Sequence, residues 1–222
     1  DVQNDFCPGG ALPVPEGDQV VPVINDLQRQ FELVVATVDW HPADHCSFAA
    51  NHPGRRVGDV IEIDGLQQIL WPVHCVQNTP GAELHPALDT TRIARLFRKG
   101  ADPRVDSYSA FFDNGRRKAT GLAEYLRQQG ATELYICGLA TDYCVKFTAL
   151  DAVELGFRTN VLADACRGVE LRRGDVAAAI EQMRSSGVNV IAGLALPDHQ
   201  TPASAHGSTA LDWREVNRRQ MD

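Results

Sequence analysis

Cys144 is the residue of this chain whose surroundings best suit nucleophilic chemistry. It ends the segment LYICGLATDYC, residues 134–144, which breaks at Gly138 and leads into a predicted helix. Thr141 can cap that helix, and the unpaired N–H groups and positive dipole end of its first turn favour a thiolate and could hold a developing oxyanion. The alternative is that Cys144 is a small buried hydrophobic residue, as most intracellular cysteines are.

A carboxylate and two imidazoles have the side-chain types that bind a divalent metal. Asp39 and His41 follow a buried strand, and His74 lies downstream in the segment WPVHC. A proline-rich loop could hold the three in place, and a site with three protein ligands keeps positions open for water or substrate. His45 and Ser47 are the candidates for a fourth ligand. The competing interpretation is that these histidines are solvated or only support other groups, and the spacing alone leaves both open.

Lys99 and Asp1 are candidates for an ion pair that assists the cysteine. Lys99 ends the segment LFRK at a predicted strand end. If it points over the sheet edge toward Cys144, it lowers the pKa of the thiol and pairs with an acidic residue. Asp1 is the candidate acidic partner, and Asp5 competes for that role. The alternatives are a solvated lysine and an aspartate that merely caps a turn.

Composition limits the classes of function. The chain has 222 residues, 44% of them hydrophobic, which is enough for one domain with a full core. Its net charge of −8 and its lack of a concentrated Lys/Arg patch argue against a nucleic acid or membrane partner. Six cysteines without a CxxC pair fit neither a disulfide scaffold nor a structural zinc site, so a cytoplasmic location is expected.

Strands and helices alternate along the chain, which predicts a mainly parallel sheet covered on both faces. The expected fold is therefore α/β, a three-layer α/β/α arrangement of the Rossmann-like kind. The predicted helices are 18–30, 120–129, 142–155 and 172–185, and the predicted strands are 33–38, 60–63, 93–98, 133–137, 158–162 and 188–191.

The carboxyl edge of the sheet is the expected location of the site. Asp39, Lys99 and Gly138 each stand just past a strand end, where open α/β sheets bind their ligands. A functional Asp1 should likewise follow a strand, so we expect one to precede it. We expect one domain over residues 1–195 and a C-terminal extension without chemistry over residues 196–222.

Five motifs carry a resemblance to a known family. The chain resembles the nicotinamidase branch of the isochorismatase-like cysteine hydrolases, in order from residue 1 to about residue 195. The general superfamily shares the Asp, Lys and Cys positions, whereas the Asp-x-His and Trp-Pro-x-His-Cys segments are specific to the branch. The motifs are DVQNDF at residue 1, VDWHP at 38, WPVHCVQNTPGA at 71, RKG at 98 and GLATDYCV at 138.

The resemblance implies roles for individual residues, and with them a metal-dependent hydrolysis of nicotinamide, and of pyrazinamide, in NAD salvage. The implied metal is zinc, with iron and manganese as alternatives, and a homo-oligomer is allowed. The implied roles are a catalytic triad of Asp1, Lys99 and Cys144, an oxyanion hole at Ala140 and Cys144 beside a cis Leu139–Ala140 peptide, metal ligands Asp39, His41 and His74 with Ser47 or His45, and a pyridine pocket of Phe6, Trp71, Tyr108 and Ala140.

Other functions remain open on the sequence. A different amidase of the superfamily would keep the triad but need not keep Asp39, His41 and His74. An isochorismatase would require neither the cysteine nor the metal set. A non-catalytic binding protein on the same fold would be expected to have lost Asp1, Lys99 or Cys144, and all three are present.

Overall fold

The computed structural model describes residues 1–192, so the predicted extension 196–222 lies outside the described residues. Within that range there are seven strands and four α-helices. The strands are β1 Val34–Asp39, β2 Val60–Ile63, β3 Leu66–Ile69, β4 Ile93–Lys99, β5 Glu133–Leu139, β6 Arg158–Arg167 and β7 Asn189–Ile191. The helices are α1 Val20–Leu27, α2 Leu122–Gln128, α3 Lys146–Glu154 and α4 Asp175–Ser185.

The strands that position the site are parallel, as predicted. β1 pairs with β4, while β5, β6 and β7 form a second parallel group in that order. All six residues of β1 are buried, which is typical of a strand covered on both faces. β2 and β3 form a separate antiparallel hairpin. The α/β fold class is confirmed.

Residues 1–3 lie between the two parallel groups. The Asp1 carboxylate accepts a hydrogen bond from Thr37 of β1, and a Cβ placed on Gly138 of β5 would lie 3.6 Å from the Val2 side chain. The Gln3 side chain continues the connection, since it accepts from the backbone N–H of Asp39 and donates to its carbonyl. This segment therefore joins the carboxyl ends of β1 and β5. The strand expected before Asp1 stays a prediction.

Helix α1 shows how the apolar pattern builds the core. Val20, Val21, Ile24 and Leu27 are buried, and the helix packs on β6 and β5. Pro22 lies in the first turn, where its missing N–H would have no acceptor inside the helix. α3 packs on β6, and α4 packs on β7 and α3. No helix of residues 1–192 is long and apolar enough to cross a membrane.

Three local features differ from the sequence expectation. Strand β3 was not expected, because its glutamines obscure the apolar pattern. β6 continues to Arg167, past an exposed Asp164 that interrupts its apolar run. The helix expected from residue 142 begins instead with a π-helical turn at Thr141–Val145, before α3.

Candidate active site

Asp1 and Lys99 form a buried ion pair at the carboxyl end of β1 and β4. Lys99 Nζ lies 2.9 Å from Asp1 Oδ2, and Thr37 Oγ1 donates to Asp1 Oδ1 at 2.8 Å. All three side chains are almost completely shielded from solvent. The predicted partnership of these two residues is therefore present in the structure. The Asp5 carboxylate instead accepts hydrogen bonds from the backbone N–H groups of Ala11 and Cys75.

Lys99 also contacts Asp39, the residue opposite it in the parallel register of β1 and β4. Burial alone would raise the pKa of Asp39, but Lys99 and His41 together hold it well below its usual range. Asp39 is therefore ionised. The lysine stands between two buried carboxylates, one expected to be catalytic and one expected to bind metal.

Cys144 lies on the π-helical turn and lines a pocket together with Asp39 and His74. Burial raises the pKa of its thiol well above the usual range, although Lys99 and the Ala140 amide act in the opposite direction. Desolvation raises the pKa of the thiol by more than Lys99 lowers it, so the expected effect of Lys99 is present but does not by itself yield a thiolate. The expected cis peptide between Leu139 and Ala140 is present.

Asp39, His41 and His74 bring one ligand atom each within 4.8 Å of one another, and all three are buried. His41 Nδ1 bonds the Gly100 carbonyl at 2.8 Å, and His74 Nδ1 bonds the Pro72 carbonyl at 2.7 Å. With both Nδ1 protons donated in this way, the Nε2 atoms remain as ligands, as is usual for metal-binding histidines. Burial also lowers the pKa of His74 to about 4, which keeps it neutral.

The two candidates for a fourth ligand, His45 and Ser47, are hydrogen-bonded to each other. His45 Nδ1 lies 2.7 Å from Ser47 Oγ, while His45 Nε2 is buried without a hydrogen-bond partner. The His45 ring lies 4.2 Å from that of His41, and burial lowers the pKa of His45 to about 3. Asp106, which the sequence analysis missed, forms a second compact group with His41 and His45. The buried ring of Phe48 packs against the histidine rings.

The predicted aromatic residues do line one pocket with Cys144. Trp71 Nε1 donates to the Tyr108 hydroxyl, and Phe6 packs against His74 with ring centroids 5.5 Å apart. Ala140 lines the same pocket. The sequence analysis missed five further lining residues, of which Tyr143 packs edge-on against Trp71. The five are Leu12, Val14, Leu139, Tyr143 and Val169.

The side chains at this edge of the sheet could perform four kinds of chemistry. A carboxylate paired with a lysine can move a proton, and a buried thiol can attack a carbonyl carbon. The Asp/His/His group can hold a divalent cation, and flat apolar walls can accept an aromatic ring. The structure thus pairs Asp1 with Lys99, groups Asp39 with His41 and His74, and places Cys144 in the pocket of the predicted aromatic residues.

Comparisons with known proteins agree with this geometry. The family model of the isochorismatase domain matches residues 1–193. The nicotinamidase of Escherichia coli (strain K12) is 54% identical over 194 residues, covering 86% of this chain and 91% of the relative.

Two solved structures resemble the fold closely. The Acinetobacter baumanii nicotinamidase/pyrazinamidase superposes with a TM-score of 0.84 at 48% identity, covering 86% of this chain and 92% of that one. The Pyrococcus horikoshii pyrazinamidase in complex with zinc gives a TM-score of 0.70 at 42% identity, covering 86% and 94%. From the extent of these matches, the chain belongs to the isochorismatase family of hydrolases, in its nicotinamidase branch.

Proposed function

We propose that this protein is a metal-dependent cysteine amidohydrolase that converts nicotinamide to nicotinate and ammonia, and that it also accepts pyrazinamide. The observation that carries the proposal is one pocket lined by Cys144, Asp39 and His74, with the Asp1–Lys99 pair bonded to Asp39 behind it. The relatives named above support the substrate class, since their names specify nicotinamide and pyrazinamide. We propose that the reaction serves NAD salvage.

The proposed chemistry begins with a proton transfer. Because burial keeps the Cys144 thiol protonated, a base must take its proton as the sulfur attacks the carboxamide carbon. Asp1 is that base, and Lys99 compensates the changing charge on it. The backbone N–H groups of Ala140 and Cys144 hold the oxyanion.

The second half of the reaction returns the proton. Asp1 donates it to the amide nitrogen, so that the C–N bond breaks with neutral ammonia as the leaving group. A thioester on Cys144 remains. Asp1 then takes a proton from water, which attacks the thioester carbon and releases nicotinate, and the proton returns to the sulfur.

The donor set fits a divalent cation held by Asp39, His41 and His74. The lowered pKa of Asp39 keeps its carboxylate ionised as an anionic donor, and the neutral His74 offers a lone pair. When bound, such an ion supplies a Lewis acid that can hold a ring nitrogen and orient the substrate. We propose zinc, as in the Pyrococcus horikoshii relative, with iron and manganese compatible with the same ligands.

We assign the fourth ligand to His45 rather than Ser47. The hydroxyl and the backbone N–H of Ser47 both contact His45 Nδ1, at 2.7 and 3.3 Å, whereas the buried Nε2 has no hydrogen-bond partner within the described residues. A cation near His41 would satisfy it, whereas Ser47 would serve to orient the ring. The cytoplasmic location and the homo-oligomer stay predictions.

Ammonia release from nicotinamide tests the reaction. We expect Cys144→Ala to abolish turnover while its far-UV circular dichroism and urea midpoint stay close to those of the parent. Cys46→Ala is the matched control, because Cys46 lies outside the pocket. The panel should include pyrazinamide, benzamide and aliphatic amides. Turnover in Cys144→Ala would refute the mechanism, and cleavage of aliphatic amides alone would refute the substrate assignment.

Metal content tests the ligand set separately from activity. We expect His41→Ala to lose bound metal in elemental analysis, and dialysis against a chelator to reduce turnover reversibly. His52→Ala is the control, since His52 Nε2 bonds the Cys46 carbonyl and belongs to neither ligand group. Equal metal content in both variants would contradict the assignment.

A further inference from the structure

Asp142 lies on the same π-helical turn as Cys144 but has no role in the proposed reaction. Its carboxylate is buried and faces the loop that follows β6. Oδ1 accepts the Val169 amide at 2.9 Å, and Oδ2 accepts the Glu170 amide at 2.7 Å. Each oxygen therefore holds one of two successive N–H groups of a segment almost thirty residues further along the chain.

The first part of the loop has a strained backbone and a close approach to Asp142, whereas its later part is held by the bonds Gly174 N–H to Glu170 Oε1 and Arg172 N–H to Asp175 Oδ2. Glu170 has a φ of +50°, a left-handed conformation that a residue with a side chain rarely adopts unless its surroundings hold it. Gly168 permits the close approach, because a Cβ there would lie 2.2 Å from the Val176 side chain and 3.1 Å from Asp142 Oδ1. Any side chain at this position would push the loop away from α4 and from the carboxylate.

The residue held between these contacts lines the substrate pocket. The Val169 side chain packs with the cluster of Trp71, Tyr108 and Cys144, and it lines the same pocket as they do. Val169 is thus a wall of the site whose position depends on Asp142. The turn that carries the nucleophile also carries the group that holds this wall.

We propose that Asp142 is a positioning residue and that Val169 is the specificity-determining residue through which it acts. The Asp142–Val169 contact sets the room available beside the ring, and so decides how well the site accepts pyridine carboxamides that carry a ring substituent. This inference rests on the proposed function, since it concerns the substrate range of that pocket. Each Asp142 oxygen accepts a hydrogen bond from one backbone amide, and the proposed reaction routes no proton through this carboxylate.

Paired substitutions test the inference through selectivity. The measured quantity is kcat/KM for 5-methylnicotinamide divided by kcat/KM for nicotinamide. We expect Val169→Ala to raise this ratio about tenfold, the usual effect of a methyl-sized change in an apolar pocket. Asp142→Asn should raise it in the same direction, chiefly through KM, because its amide group can accept from only one of the two loop N–H groups.

Non-additivity separates this role from a general structural one. If Asp142 acts through Val169, the double variant should have a ratio no larger than that of Val169→Ala alone. Asp164→Asn is the matched control, because it removes the same charge from an exposed position of β6 and should leave the ratio unchanged. A fall in kcat for both substrates with an unchanged ratio, or ratios that multiply in the double variant, would overturn the proposal.

A measurement without turnover keeps the two proposals distinguishable. Hydrogen exchange at the Val169 and Glu170 amides should be slow in the parent protein and in Asp164→Asn, and in Asp142→Asn it should be at least tenfold faster at the amide that loses its acceptor. If the parent protein does not hydrolyse nicotinamide, the proposed function fails, and the exchange data still decide whether Asp142 holds the loop. Unchanged exchange in Asp142→Asn would overturn the inference even in an active enzyme.

Discussion

Replacing Lys99 by methionine should destabilise the protein more than almost any other single change of charge. Lys99 Nζ lies 2.9 Å from Asp1 Oδ2 and also contacts Asp39, and its side chain is only 1% exposed. Methionine preserves the length of the side chain but leaves two buried carboxylates facing each other without a cation. The destabilisation therefore comes from uncompensated charge rather than from a cavity.

The size of the effect follows from the geometry. Two unit charges 2.9 Å apart attract by about 6 kcal/mol at an effective dielectric constant of about 20. The net loss is smaller, because the substitution also removes the cost of burying the ammonium group. Breaking a buried ion pair from one side usually costs about 3–5 kcal/mol, and we expect a value in this range. That is a fifth or more of a typical free energy of unfolding of about 5–15 kcal/mol.

Urea unfolding at pH 7 measures the loss, with both proteins freed of metal by a chelator so that bound ions do not contribute. Lys118→Met is the matched control. Lys118 Nζ lies 2.6 Å from Asp102 Oδ2, but its side chain is 67% exposed, so its loss should cost less than about 1 kcal/mol. If Lys99→Met lost no more stability than Lys118→Met, the argument that Lys99 compensates two buried carboxylates would be wrong.

Two further substitutions test how the site is supported. Thr37→Val removes the hydroxyl that donates to Asp1 Oδ1. We expect the variant to lose about 1 kcal/mol of stability in urea unfolding and to have a lower kcat on nicotinamide. An unchanged kcat would show that this bond does not orient the base. Gly100→Ala places a Cβ 2.3 Å from the His41 ring at a φ of +64°, so bound metal should fall in elemental analysis. Gly130→Ala, at a φ of +76° with open space around it, should keep its metal, and equal metal in both variants would contradict the expected displacement of His41.

The strands and the residues at their ends could be predicted because their signals are local. β1 is a continuous run of buried residues that ends at Asp39, and β4 ends at Lys99, so the parallel register itself brings the two side chains together. The predicted triad and metal set rest on the same logic together with the family resemblance. Short polar strands such as β3 leave a weaker pattern.

Properties that depend on the whole fold could not be predicted. Val169 lines the pocket and its backbone N–H bonds to Asp142, and no pattern near either residue indicates this long-range contact. The net direction of the Cys144 pKa could not be predicted for a related reason. The helix entry and Lys99 are visible in the sequence, whereas the desolvation that outweighs them depends on how completely distant segments enclose the thiol.

The bonds around Asp1 and Lys99 also bear on how the protein reaches its native state. Thr37 and Asp1 are 36 residues apart, and Lys99 and Asp39 are 60 apart, so each bond closes a long loop of chain. Closing such loops costs conformational entropy before any contact forms, and folds rich in distant pairings assemble slowly. If Asp1 is the base, as proposed, a partly folded intermediate that lacks the bond from Thr37 has not yet fixed that base. Hydrolysis is then expected only from molecules that have completed their topology, so that turnover would measure complete folding where helical content does not.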